Sequence, residues 1–349
     1  MEPITIDGRK VGGNSPCYII AEIGSNFDGS LEKAKYMIDL AKECGADAVK
    51  FQSFRAEDIV SEKGFRSLKV AFQSAWKKPV IEVYRDAELP TQWNEELMAH
   101  AKKKGITYFS TPYDKKNADY LDKIGVLAFK IGSGDITWLE MIKYISGKKK
   151  PVIIGCGAST VEEIGEAIEA IRSEGNDEIV LLQCVTNYPS SFKNANIKAM
   201  KSLGERYKVL YGYSDHSPGH IVPLGAVALG ACVIEKHFTY DKKALGPDHP
   251  FAMDPSDFKE MVKAIRLLES GLGDKKEVYD EEKETVVIQR RCLRASKSLD
   301  AGHVVKGEDI EVLRPAPLDS IYPKHKESLI GKKLKRSLEK GDYFKKADF

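Results

Sequence analysis

The sequence predicts an α/β fold, a parallel (β/α)8 barrel followed by a small β-rich unit. Two observations predict the barrel. Eight short apolar, β-branched runs alternate with stretches of helical periodicity. Nearly every run also ends in polar or charged residues at its C-terminal end, where the mouth of such a barrel gathers its working side chains. A turn-rich tail with little helical periodicity predicts the second unit.

The runs are CYIIAEIG (17–24), DAVKFQSF (47–54), TYFSTPY (107–113), LAFKIGSG (127–134), PVIIGCG (151–157), EIVLLQCV (178–185), KVLYGYSDH (208–216) and ACVIEKHFT (231–239). Between them lie segments such as SLEKAKYMIDLAKECG and STVEEIGEAIEAIRSEG. In the latter, Val161, Ile164, Ala167, Ile168 and Ile171 recur at helical spacing, with Ser159 or Thr160 as the cap. The segment after the second run, through Trp76 and Tyr84, exceeds an ordinary loop and reads as a lid or substrate-contacting excursion. Residues 1–275 are assigned to the barrel, 276–290 to a polar connector and 291–349 to the second unit. That unit carries a faint repeat, KSLDAGHVVKGEDI (297–310) against RSLEKGDYFKKADF (336–349).

Composition excludes several classes. The chain has 349 residues, with 54 Lys and Arg against 52 Asp and Glu, a net charge of +2. This balance gives no electrostatic reason for nucleic acid or a membrane surface. The six cysteines form no CxxC pair and read as buried free thiols. With no signal-like or membrane-spanning apolar run, a soluble, cytoplasmic protein is expected.

The strand ends carry the chemistry. His216 ends the seventh run and His237 lies near the end of the eighth, on strands about 4.8 Å apart, so both imidazoles can reach one ion. Two histidines with oxygen neighbours suit an open site for a divalent metal, Mn2+ above all, with Mg2+ or Co2+ as alternatives. Alternation in VIEKHF turns Glu235 the same way as His237, as a possible partner behind the metal. His216 alone would read as a core histidine, and His220 as a cap or surface residue. Lys50 and Lys130 also end strands, with Thr111, Ser133 and Ser214 nearby, and two lysines gathered there call for an anion. A phosphorylated, carboxylated small molecule fits.

The segments AEIGSNFDGSLEKA, VKFQ, STPYD, FKIGSGD, CVTNYP, YSDH, VALGACVIEKHFT and GPDHPFAMDP together resemble the sialic acid synthase family. These enzymes condense phosphoenolpyruvate with an N-acetylated hexose. The tail, with VLRP and LIGKKL, is similar to the antifreeze-like (SAF) module of such synthases. The resemblance implies that His216 and His237 bind Mn2+. It implies that Lys50, Thr111, Lys130, Ser133, Thr186 and Ser214 hold phosphoenolpyruvate. Glu22, Gln52, Asp135, Tyr188 and Asp248 would contact the sugar or move protons. It further implies a domain-swapped homodimer in which the tail of one subunit brings Arg314 to the other's sugar pocket. The chain departs from the family pattern in three places: GCGA (155–158) replaces Ser-Thr-Gly-Met, Thr186 stands where some members carry asparagine, and RPAPL (314–318) replaces the glycine-containing sequence usual after the tail arginine. N-acetylmannosamine is the default sugar; a 2,4-diacetamido-trideoxy hexose, leading to legionaminic or pseudaminic acid, is the alternative. Trp138 reads equally as a sugar contact or as packing.

Three rival readings remain: a Schiff-base aldolase using Lys50 or Lys130, a phosphoenolpyruvate-condensing synthase acting on a phosphorylated sugar, and a carbohydrate-binding tail on an inert barrel.

Overall fold

The computed structural model describes residues 1–68 and 78–349. The chain divides into two compact units, Met1–Leu272 and Gly273–Phe349.

The first unit begins with a hairpin that the sequence reading passed over. Strands β1 (Ile4–Ile6) and β2 (Arg9–Val11) pair antiparallel around Asp7-Gly8, both at positive φ (51° and 72°). Asp-Gly is the pair such a two-residue turn requires. Eight parallel strands follow: β3 (Tyr18–Gly24), β4 (Ala48–Ser53), β5 (Thr107–Pro112), β6 (Phe129–Ile131), β7 (Val152–Gly155), β8 (Ile179–Cys184), β9 (Leu210–Asp215) and β10 (Val233–His237). They pair in the order β5-β4-β3-β10-β9-β8-β7-β6, with β5 and β6 lying side by side to close the barrel. The predicted runs are therefore these strands, each trimmed by a few residues.

Period-two alternation sorts the strands into two cores. Ile19, Ala21, Val49, Phe51, Ile154, Leu181 and Ile234 face the surrounding helices. Tyr18, Ile20, Ala48, Phe109, Ala128, Ile153, Val180, Leu182, Leu210 and Val233 fill the barrel, where Ile4, Ile6 and Val11 of the hairpin join them. Most of these inward residues begin their strands, so the hairpin closes the N-terminal end. Towards the C-terminal ends the inward residues turn polar, among them Glu22, Lys50, Lys130, Ser214 and Glu235. The helix Val161–Ser173 starts at Thr160, whose hydroxyl accepts from Glu163 N–H while the Glu163 carboxylate accepts from Thr160 N–H.

The excursion between β4 and β5 contains short helices at Ala56–Ile59, Glu62–Ser67 and Val80–Asp86. Tyr84 packs edge-on to Phe54, with ring centroids 5.8 Å apart; Trp76 lies outside the described residues. No helix among the described residues is long and apolar enough to cross a membrane. All six cysteines are free, and all but Cys232 are buried.

In the second unit, β11 (Cys292–Ala295) and β12 (Ile310–Leu313) form an antiparallel pair over a core including Leu293, Leu299, Leu338 and Phe344. The faint repeat is a structural duplication. Leu299 and Leu338 pair across an antiparallel bridge. Asp309 accepts from Lys306 N–H and pairs with Lys297, while Asp348 accepts from Lys345 N–H and pairs with Arg336. Each half thus ends in the same carboxylate-capped turn.

Candidate active site

The inward side chains at the C-terminal ends of the strands form two layers. The deeper layer is a buried set of four charges. Lys50 Nζ lies 2.6 Å from Glu22 Oε2 and 3.9 Å from Glu235 Oε1, and donates to Thr111 Oγ1 at 3.3 Å. Lys130 Nζ donates to both oxygens of Glu235, at 2.9 and 3.0 Å, and the Ser214 hydroxyl donates to the first of these at 3.0 Å. Burial alone would raise the Glu235 carboxyl, but Lys130 and Lys50 hold it down at about 2. Burial would lower the Lys50 ammonium, but Glu22 and Glu235 raise it. Glu22 is pushed up by burial.

This layer corrects two expectations. The lysines are not without counter-charges of their own, since Glu22 and Glu235 already pair with them. Glu235 does face inward like His237, but its carboxylate bonds Lys130 and Ser214 instead of the imidazole. Residues two apart on a strand stand about 6.6 Å apart along it, so Glu235 sits one layer below His237, level with Ser214 in the β-ladder.

The upper layer holds the histidines, with ring centroids 5.5 Å apart. His216 Nδ1 lies 2.8 Å from the Val185 carbonyl oxygen, so Nδ1 carries the hydrogen and Nε2 the lone pair. Among the described residues, His237 Nδ1 is buried without a hydrogen-bond partner; Asp248 Oδ2 lies 3.8 Å away. Burial lowers both imidazole pKa values, that of His237 strongly and with help from His216 and Lys50, so both rings are neutral. Neutral imidazoles with available lone pairs suit a divalent metal. Among the described residues no cluster of three or more His, Cys, Asp or Glu forms a ready cage, so water and substrate would complete the shell.

Beside the histidines stand Tyr188, with its ring 4.2 Å from that of His216, and Phe251, 5.0 Å from His237 and 5.1 Å from Tyr188. Three further candidates meet over Gly24. A Cβ there would lie 3.1 Å from Asp248 Oδ2, 3.4 Å from Glu22 Oε1 and 3.5 Å from Gln52 Nε2. Gln52 donates to Glu22 Oε1 at 2.6 Å. Burial, with Glu22 nearby, lifts the Asp248 carboxyl to about 7; burial lifts that of Asp135, in the turn after β6, to about 6.

On the opposite rim, Ser133 Oγ accepts from Gly157 N–H at 2.9 Å and lies 3.0 Å from Cys184 Sγ. A Cβ at Gly155 would come within 2.7 Å of Ser133 Oγ, and one at Gly157 within 2.2 Å of Thr186 Oγ1 and 2.6 Å of Cys184 Sγ. Gly155 therefore makes room for Ser133, and Gly157 for Cys184 and Thr186.

The structure thus brings Glu22, Lys50, Gln52, Thr111, Lys130, Ser214, His216, His237, Asp248 and Tyr188 into the mouth, with Ser133, Asp135 and Thr186 on its rim. Arg314 lies in the second unit, exposed, just after β12. Trp138 is 42 % exposed. Sequence reasoning missed Cys184 and Phe251. Alternation from Val180 and Leu182 signals Cys184; no periodicity signals Phe251, which a loop delivers.

Comparison with known proteins agrees with this architecture. The NeuB family matches residues 37–277 and the SAF domain residues 290–349. The N,N'-diacetyllegionaminic acid synthase of Legionella pneumophila is 38% identical over 342 residues, covering 96% of this chain and 96% of that protein. The pseudaminic acid synthase of Campylobacter jejuni is 36% identical over 332 residues, covering 95% and 96%. The crystal structure of the N-acetylneuraminic acid (sialic acid) synthetase from Leptospira borgpetersenii, in complex with citrate, superposes with a TM-score of 0.72 at 33% identity, covering 82% of this chain and 95% of that one.

Proposed function

Because the chain belongs to the NeuB family, we propose that it is a nonulosonic acid synthase that condenses phosphoenolpyruvate with the open-chain aldehyde of an N-acetylated hexose. One observation carries the reading: two neutral imidazoles, their ring centroids 5.5 Å apart, share the C-terminal mouth with the buried Lys50 and Lys130. An electrophile can be activated above while a phosphorylated carboxylate is held below.

C3 of phosphoenolpyruvate forms a bond to the aldehyde carbon, and the aldehyde oxygen gains a proton. Water adds to C2; as the C2–O bond to phosphate breaks, inorganic phosphate leaves with both electrons of that bond and the added oxygen becomes the C2 carbonyl, the water's two protons balancing the one gained by the aldehyde oxygen and one carried off on phosphate. Lys50, kept as an ammonium group by Glu22 and Glu235, and Lys130 fix the substrate's phosphate and carboxylate together with Thr111, Ser133, Thr186 and Ser214. Asp248 holds a proton near neutral pH at 3.8 Å from His237, where the aldehyde oxygen would need one. Glu22, Gln52, Asp135 and Tyr188 orient the sugar. A divalent metal, Mn2+ with Mg2+ or Co2+ as alternatives, would be held by His216 and His237 and would polarise the aldehyde. We also assign a homodimer in which one subunit's Arg314 reaches its partner's sugar pocket, and a cytoplasmic location, which six free thiols suit.

The aldolase reading is disfavoured by the same charges. A Schiff-base lysine must shed its proton, whereas Lys50 is held as ammonium by Glu22 and Glu235.

Metal-stripped protein given phosphoenolpyruvate and N-acetylmannosamine should release inorganic phosphate only after Mn2+ is restored. Release with the 2,4-diacetamido-trideoxy hexose alone would keep the chemistry and change the product. Silence with both sugars from folded, metal-loaded protein would sink the reading. A second expectation concerns the rim. Restoring the family serine by Gly155→Ser should raise the phosphoenolpyruvate KM about tenfold, because its Cβ would stand 2.7 Å from Ser133 Oγ and displace that hydroxyl. A lowered KM would show that Ser133 yields freely.

A further inference from the structure

The loop after β10 is anchored from behind by a histidine that no substrate can touch. The chain leaves the strand and returns to it: Thr239 N–H donates to Met253 O, and Met253 N–H to His237 O, both at 2.8 Å. Between these points lie Asp248 and Phe251, which face the mouth. His249 turns away and is fully buried. Its Nδ1 lies 2.6 Å from Thr239 Oγ1 and its Nε2 lies 2.8 Å from Asp28 Oδ1. Asp28 belongs to the loop after β3, and its other oxygen accepts from Tyr240 Oη and from Lys33 Nζ, each at 2.6 Å. The imidazole therefore ties the β10 loop to the β3 loop with both nitrogens in use, as a buried ring requires. Gly246 makes room for it, since a Cβ there would lie 2.7 Å from His249 Cδ2. The order Asp28, His249, Thr239 resembles a hydrolytic relay, but Thr239 is fully buried and its hydroxyl also bonds Asp241, so no scissile bond can reach it.

We propose that His249 is a positioning residue for the amino-sugar half of the site: by bridging Thr239 and Asp28 it holds the loop so that the Asp248 carboxyl rests over Gly24, beside Glu22 and His237. The proposal rests on the assignment of Asp248 to the sugar pocket given above. Loss of the bridge leaves the strand-borne lysines and histidines in place and lets Asp248 move, so its effect falls on one substrate.

The test is steady-state phosphate release with each substrate varied in turn, together with Mn2+ binding to the substrate-free protein. His249→Leu should raise the KM for the amino sugar about tenfold or more, leaving the phosphoenolpyruvate KM and the Mn2+ affinity within about twofold. His249→Gln, whose amide can reach Asp28, should recover most of the loss. Gly246→Ala, which crowds the ring, should shift the sugar KM in the same direction. Equal rises in both KM values, or an unchanged sugar KM in folded His249→Leu protein, would overturn the proposal. If the leucine variant does not fold, the glutamine and Gly246 variants decide by the same criterion. Asp248→Asn is the reference: if it leaves the sugar KM unchanged, the assignment of Asp248 fails, and with it the route proposed for His249. If the unaltered protein releases no phosphate with either sugar, the synthase reading fails separately. Hydrogen exchange over residues 241–252 then decides whether His249 anchors the loop: faster exchange there in His249→Leu supports it, and unchanged exchange overturns it.

Discussion

Replacing His237 or His216 by alanine is expected to lower phosphate release by at least about 1,000-fold and to abolish Mn2+ binding. With two imidazoles and no cage of three or more acidic, thiol or imidazole groups among the described residues, each histidine would supply half of the nitrogen ligands to the proposed metal. The two variants should differ in stability. Among the described residues His237 Nδ1 has no hydrogen bond to lose, whereas His216 gives up its bond to the Val185 carbonyl, a difference of about 1 kcal/mol. Calorimetric titration with Mn2+, phosphate assays and thermal melts on the same samples separate these effects. Metal-independent release by either variant at the unaltered rate would remove the histidines from the reaction.

The second large effect concerns Glu235. Glu235→Leu should destabilise the fold by about 3–5 kcal/mol, because it leaves two buried ammonium groups facing the single carboxylate of Glu22. The pH dependence follows from the depressed carboxyl. Its pKa falls from the ordinary 4.5 of a glutamate to about 2 on folding. The folded state then binds fewer protons than the unfolded chain across that window, so stability falls as pH drops from about 4.5 towards 2. The contribution is fully present above the window and is about 3 kcal/mol. Urea melts at pH 7, 4 and 2.5 should show the unaltered protein converging on Glu235→Leu as pH falls. A constant gap across that range would mean that the lost stability comes from packing and not from charge. Phosphoenolpyruvate binding should weaken as well, since Lys130 loses the group that fixes its direction.

Period-two alternation explains why so much of the mouth was legible before any coordinates. In VIEKHF the spacing alone sets Glu235 and His237 inward with Val233, and the parallel strands carry Lys50, Thr111, Lys130 and Ser214 to the same end. The Asp7-Gly8 turn was equally legible and went unread, as did Cys184 on the inward face of β8. In the tail, matched Leu, Lys and Asp positions were visible as a repeat. That Leu299 meets Leu338, and that Asp309 and Asp348 close equivalent turns, depends on how the two halves come together.

The sequence by itself determined the barrel, the end at which its chemistry lies and which side chains face inward, because backbone geometry fixes each of these locally. Tertiary structure alone decided depth and partnership. Glu235 binds Lys130 and not His237 because residues two apart on a strand occupy different layers, and Lys130 reaches that layer from β6. Phe251 and the bridge from His249 to Asp28 arise where loops far apart in sequence meet, and no periodicity records such a meeting. Distances between side chains on different strands and loops follow from barrel closure and loop path, which only the packed chain sets.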